Sequence, residues 1–161
     1  MKNLFSILLL LCSSIVFAQN NSNTSVELTQ QMKEAVVTYN EKVNERIQHY
    51  TNQQYKLYKE QRIPMTQNLD QVIQIQMQKG MLYQLCFVGD PLSYKMHLKL
   101  FLNGAGLIVQ DKVNVLNEGM HWIDVPFLCP ATGIYELSLQ QKTDIERPLA
   151  YMMLFTKTST N

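Results

Sequence analysis

Three histidines, three cysteines and one tryptophan are the residues of this 161-residue chain whose types could do chemistry of their own. The stretch GMHWIDVPFLCPATGIYELSLQ, residues 119–140, gathers most of them: His121, Trp122, Cys129 and a Gly-x-Tyr at Gly133 and Tyr135. It is either a site or the closing hairpin of a small β-sandwich. By strand parity His121 shares the face of Ile123, where an imidazole is expected to hydrogen-bond a turn at the strand end. His97 alternates with Lys95 and Lys99 on the outward side of a strand and is expected in solvent. His49 has Glu45 one helical turn before it and Gln53 one turn after, a surface hydrogen-bonding arrangement.

None of these spacings makes a metal site. His-x-His, Cys-x-x-Cys and His-Glu-x-x-His do not occur, and a zinc centre needs such converging ligands. Asp90, Asp111, Asp124 and Asp144 are scattered in or near turns, where Asp is favoured for bonding backbone, so a calcium cluster is not expected. Nucleophile elbows of the Gly-x-Ser-x-Gly type do not occur either. Gly104-Ala105-Gly106 opens a strand with no Lys after it, which is not a phosphate cradle. Cys86 and Cys129 sit in apolar strands, where burial raises a thiol pKa and suppresses its reactivity. The expectation is a protein that is not an enzyme, with no cofactor and no metal. Trp122 has two readings: a platform that stacks on a sugar ring, or a side chain covered by a helix.

The ends of the chain point to export. MKNLFSILLLLCSSIVFAQ carries Lys2, an apolar run from Leu4 to Leu11 too short for a bilayer, and Val16-Phe17-Ala18 as a cleavage site. Residues 1–18 are expected to be a signal peptide and 19–25 a polar leader. Cys12 lacks the small residue before it that lipidation requires, since Leu11 stands there. Loss of Lys2 leaves basic and acidic side chains in equal number. That balance argues against nucleic acid, which demands a basic face. No later apolar run is long enough to span a membrane. In an oxidising compartment a Cys86–Cys129 disulfide would stabilise by roughly 3–4 kcal/mol; two buried free thiols are the other outcome.

Two periodicities follow. Thr24-Ser25-Val26-Glu27 fits a capping box, and Leu28, Met32, Val36, Tyr39, Val43, Ile47, Tyr50 and Leu57 trace a stripe at steps of three and four. One helix is predicted over 26–62, ended by Pro64. Its Tyr50, Tyr55, Leu57 and Tyr58 are a candidate partner surface, because Tyr is enriched at interfaces. After Pro64 the period becomes two, first in VIQIQMQ at 72–78. Strands are predicted at 72–78, 81–88, 94–102, 107–110, 112–116, 120–128, 133–141 and 149–156. The fold class is mainly β with one long N-terminal helix: a small antiparallel sandwich, jelly-roll or Ig-like, over 68–157. Segments 82–88 and 149–155 are apolar on both faces, so the helix stripe is expected to roof one sheet.

IQMQKGMLYQLCFVGD (75–90), HLKLFLNGAGLIV (97–109) and FLCPATGIYELSL (127–139) resemble the pre-peptidase C-terminal type of bacterial β-sandwich. That family's calcium-prone carboxylates have no match here. LNEGMHWIDV (116–125) is similar instead to the sorting domains of type IX secretion cargo, without their basic final strand. The expectation that results is an exported accessory protein of the periplasm or cell envelope that binds another envelope protein, with a secretion or motility assembly as its setting. The alternative is a carbohydrate-binding module using Trp122 for a glycan.

Overall fold

The computed structural model describes residues 29–103 and 105–157. The signal, leader and capping-box readings fall outside the described residues. Two compact units divide at Val36/Val37. The described part of the first, 29–36, is helical, and Gln30 Nε2 donates to Glu34 Oε1 at 2.8 Å. Helix α1 covers 29–52. Among the described residues no helix is long and apolar enough to cross a membrane.

The helix ends ten residues earlier than predicted. Gln54 adopts φ 67°, and the Gln54 and Tyr55 amides donate to the carbonyls of Thr51 and Tyr50 at 3.0 Å each. Those two bonds are a Schellman termination, which favours Gly or Asn at the left-handed position. Its accompanying apolar contact is present as well, with the Tyr50 and Tyr55 rings 5.7 Å apart. No glycine announces the stop. The chain then enters a strand, so the sandwich begins at Lys56 and not at 68.

Eight strands follow: β1 Lys56–Arg62, β2 Asp70–Met77, β3 Leu82–Gly89, β4 Lys95–Leu102, β5 Gly106–Val113, β6 Trp122–Leu128, β7 Gly133–Lys142 and β8 Ala150–Lys157. The predicted strands at 107–110 and 112–116 are in fact one strand and then a single helical turn, α2 Val115–Glu118, closed by Gly119 at φ 65°. The strands form two antiparallel sheets, ordered β1-β8-β3-β6 and β2-β7-β4-β5. That order is an eight-stranded jelly roll. The supposed closing hairpin is therefore a crossover, since β6 and β7 lie in different sheets.

Alternation sorts the core. Tyr83, Leu85 and Phe87 of β3, Met152 and Leu154 of β8, and Ile123, Val125 and Phe127 of β6 fill the space between the sheets. There they meet Ile75, Leu98, Leu100, Leu137 and Leu139 of the facing strands. The opposite faces of β3 and β8 present Cys86, Val88, Met153 and Phe155, and α1 covers these with Tyr39, Val43 and Tyr50. Ile47 and Trp122 pack against the same cluster. A fully buried side chain of this kind contributes roughly 1.5–3 kcal/mol. The expected roof is present over 37–52, whereas Met32 and Val36 of the first unit are exposed.

Three of the four edge strands are guarded. β1 is charged and bulges at Tyr58. β6 carries Pro126. On β5 the Asp111 carboxylate accepts the Lys112 amide at 2.7 Å. Each is a known way of blunting an edge.

One buried polar hub holds an end of the sandwich. Gln141 Oε1 accepts from the Asp90 amide at 2.7 Å and from Ser93 Oγ at 2.8 Å, while its Nε2 donates to the Leu149 carbonyl at 2.9 Å. Asp90 in turn accepts the amides of Leu92 and Leu149 at 2.9 Å each. Gly89 makes room for this hub, because a Cβ there would lie 2.5 Å from Gln141 Oε1 and 2.6 Å from Met96 Cε. Gly89→Ala should lower unfolding free energy by about 1–3 kcal/mol, read as a reduced midpoint in urea.

Candidate functional site

The 119–140 stretch that first suggested chemistry is closing hardware. Tyr135 Oη donates to the Ala131 carbonyl at 2.8 Å, and Cys129 Sγ donates to the same carbonyl at 3.1 Å. Backbone bonds Gly80 N to Cys129 O (2.8 Å) and Cys129 N to Met81 O (3.0 Å) tie the crossover to the turn between β2 and β3. Burial, and then the Cys129 thiol, push Tyr135 up to about 12. His121 serves through its backbone, its carbonyl accepting the Gly89 amide at 2.8 Å. Its ring stands edge-on to Trp122 with centroids 5.7 Å apart.

Trp122 is not an open platform. Lys42 Nζ sits 4.2 Å from the ring centroid and Arg46 Cζ 5.2 Å, so two cations of α1 occupy the face a sugar would use. Arg46 also donates to Asp124 Oδ2 at 2.9 Å and to Glu45 Oε1 at 2.7 Å, and Lys42 pairs with Glu45. The Arg46–Asp124 bond joins helix to sheet across 78 positions of sequence. Beneath it Tyr50 and Cys86 are both pushed up, by burial first and by the Asp124 charge second. A buried thiol held in its neutral form is a poor nucleophile.

The disulfide does not form; both thiols are free and buried. Cys86 faces α1, while Cys129 belongs to the cluster between the sheets. A layer of β-sheet separates them. The partner surface assigned to Tyr50, Tyr55, Leu57 and Tyr58 is also corrected. Tyr50 is buried under the helix, with its ring 4.9 Å from Phe155, and Tyr55 packs on the same cluster. Leu57 and Tyr58 are exposed, but on strand β1 and not on a helix. His49 behaves as expected, 2.9 Å from Gln53 Nε2.

Two depressions indent the second unit. One, of about 270 Å³, runs between α1 and the β1/β8 edge and is lined by Tyr39, Asn44, Arg62 and Tyr151. Burial raises both of its tyrosines to about 12; at Tyr151 the Glu60 carboxylate, 2.7 Å away, adds to the shift. The other, of about 390 Å³, lies on the outer face of the β2-β7-β4-β5 sheet and is lined by His97, Lys99, Gln110, Asp111 and Lys112. The same face of the sheet also exposes Val72 and Ile134. His97 is outward as predicted but not freely solvated: Nε2 is buried without a hydrogen-bond partner among the described residues. Burial, then Lys95, Lys99 and Lys112, lower its pKa. The sequence signal that marks this face is Lys95, His97 and Lys99 at alternate positions, which taken as a strand's wet side conceals that His97 and Lys99 share a groove with Lys112. Among the described residues no group of three or more His, Cys, Asp or Glu could hold a metal ion.

No family model matches the chain, and no curated protein matches it either. Solved structures similar to it include two β-sandwich proteins. One is PliG of Aeromonas hydrophila, a periplasmic inhibitor of g-type lysozyme, at 13% identity, 61% of this chain, 83% of that one and a TM-score of 0.42. The other is a CBM4 structure at 10% identity, 65% and 79% coverage and a TM-score of 0.43. The fold assignment itself rests on the strand order above.

The single Trp of the chain reports on the roof. Trp122 emission should be blue-shifted and resistant to iodide, and Arg46→Ala should red-shift it and open it to quenching. A wild-type emission already at the wavelength of free Trp contradicts the covered geometry. The imidazoles predict a pH response. His97 and His121 both have folded pKa values below the ordinary 6.5, the latter through burial first and Lys42 next. The unfolded chain then binds more protons, so stability falls as pH drops below about 6.5. Urea titrations from pH 7.5 to 5 should show that decline, and His121→Gln should flatten it.

Proposed function

We propose that this chain is an exported, non-catalytic binding protein of the bacterial cell envelope, and that the outer face of its β2-β7-β4-β5 sheet docks another protein. The observation that carries the reading is the asymmetry of the sandwich. One sheet is covered by α1, while the other presents a groove of about 390 Å³ on a face that also exposes Val72 and Ile134. Exposed apolar side chains beside a polar depression fit a docking surface. The signal-like segment 1–18 supports export. The neutral, buried state of Cys86 and the raised tyrosines support a role without nucleophilic chemistry. Membership of a secretion or motility assembly is the finer form of the same reading, and the short sandwich motifs of 75–109 and 127–139 accord with an accessory module. Sugar stacking at Trp122 is not favoured, since Lys42 and Arg46 cover that ring.

Crosslinking of the full chain in the native envelope should recover one defined partner in stoichiometric yield. Val72→Asp with Ile134→Asp should reduce the yield about tenfold, whereas Leu128→Asp, exposed on the other sheet, should leave it unchanged. Equal yields from all three proteins, or glycan binding without any protein partner, would overturn the reading.

A further inference from the structure

Cations crowd one end of the open face, with Asp111 the carboxylate that lines the groove beside them. Lys95 stands directly opposite Lys142 across β4 and β7, and His97 directly opposite Lys112 across β4 and β5. Lys99 follows two positions along β4 on the same side. Like charges directly opposite one another weaken a sheet. None of these four lysines forms an ion pair among the described residues, whose ion pairs involve Lys42, Arg46 and Arg147. The nearby acids are otherwise engaged: Asp70 accepts from Ser138 Oγ at 3.2 Å, and Asp111 accepts the Lys112 amide at 2.7 Å. His97 Nε2, buried and unpartnered, lies in the same groove.

We propose that this groove is an anion site that seats the carboxylates of an acidic segment of the docked protein, with Lys99 and Lys112 as its donors and the His97 ring in its wall. The assignment rests on the reading of the open face as a docking surface. Three observations select a protein carboxylate over phosphate or a sulfated sugar. The donors are lysines, with no arginine fork, the group best matched to bidentate phosphate. Val72, exposed, lies in the same cross-strand row as Lys99, through Ser138. Apolar contact beside the charge suits a peptide better than a hydrated inorganic ion. The volume also exceeds what a single small ion fills. The segment crosses the face and does not pair with β5 at Lys112, whose amide Asp111 already occupies.

The test uses the full chain with hexaglutamate, inorganic phosphate and dextran sulfate as probes. Hexaglutamate should bind at low salt, weaken as salt screens the contact, and shift the His97 ring resonances. Lys99→Gln with Lys112→Gln should weaken it at least about tenfold, and Lys56→Gln with Lys59→Gln, on the other sheet, should not. Hexaglutamate that does not bind, or that binds the groove variant as well as the wild type, overturns the site. Dextran sulfate or phosphate binding there more tightly than hexaglutamate overturns the acidic segment. Partner crosslinking by the groove variants separates the two proposals. Full yield with hexaglutamate binding lost refutes the carboxylate site and leaves the docking face standing. Hexaglutamate binding with no partner recovered refutes the docking face and upholds the site.

Discussion

Strands β3 and β8 are apolar on both sides, and the architecture follows from that. A strand of this kind is stable only when covered twice, once by the opposing sheet and once from outside. The first cover is the jelly roll itself. The second is α1, whose Tyr39, Val43 and Tyr50 lie on Cys86, Val88, Met153 and Phe155. Apolar burial supplies the attraction but little direction, since one greasy stripe can slide along another. Direction comes from Arg46, which reaches Asp124 at 2.9 Å and stands over Trp122. Removing one partner from such a part-buried pair costs more than the pair contributes, because the remaining charge is stranded.

The same two-sided pattern explains what sequence could and could not convey. Period-two alternation in β2, β3, β4 and β8 assigned each side chain to the correct face, including the division of Cys86 from Leu85 and Phe87. The helix stripe from Tyr39 to Tyr50 was legible for the same reason. Its end was not. Gln54 takes a left-handed conformation that sequence usually signals with Gly, and KLYKEQR lacks alternation because β1 is an exposed edge, held by backbone bonds to β8. The disulfide question was open because parity fixes a face but not which layer lies between two residues. The crossover at 129–132 resembled a hairpin because Pro, Gly and Tyr turn a chain equally well within a sheet and between sheets.

The site had the faintest trace in sequence. Lys95, His97, Lys99 and Lys112 each look like the ordinary wet side of a strand. Only antiparallel register brings them together, and a register depends on turn geometry and remote pairing, not on the local residues. Conversely, the stretch richest in reactive residue types proved to be structural. His121 and Tyr135 hold backbone carbonyls and amides in place, and Trp122 lies beneath a helix. Residue type identifies where chemistry is affordable; placement decides where it happens.

The guarded edges carry a consequence for behaviour outside the cell's quality control. A jelly roll has open borders, and neighbouring copies can stitch together along them into fibrils. Here β1 is kinked and charged, β6 has a proline, and β5 has one of its amides already occupied by Asp111. Resistance to such stitching is thus written into three of the four borders by residues that cost the core nothing.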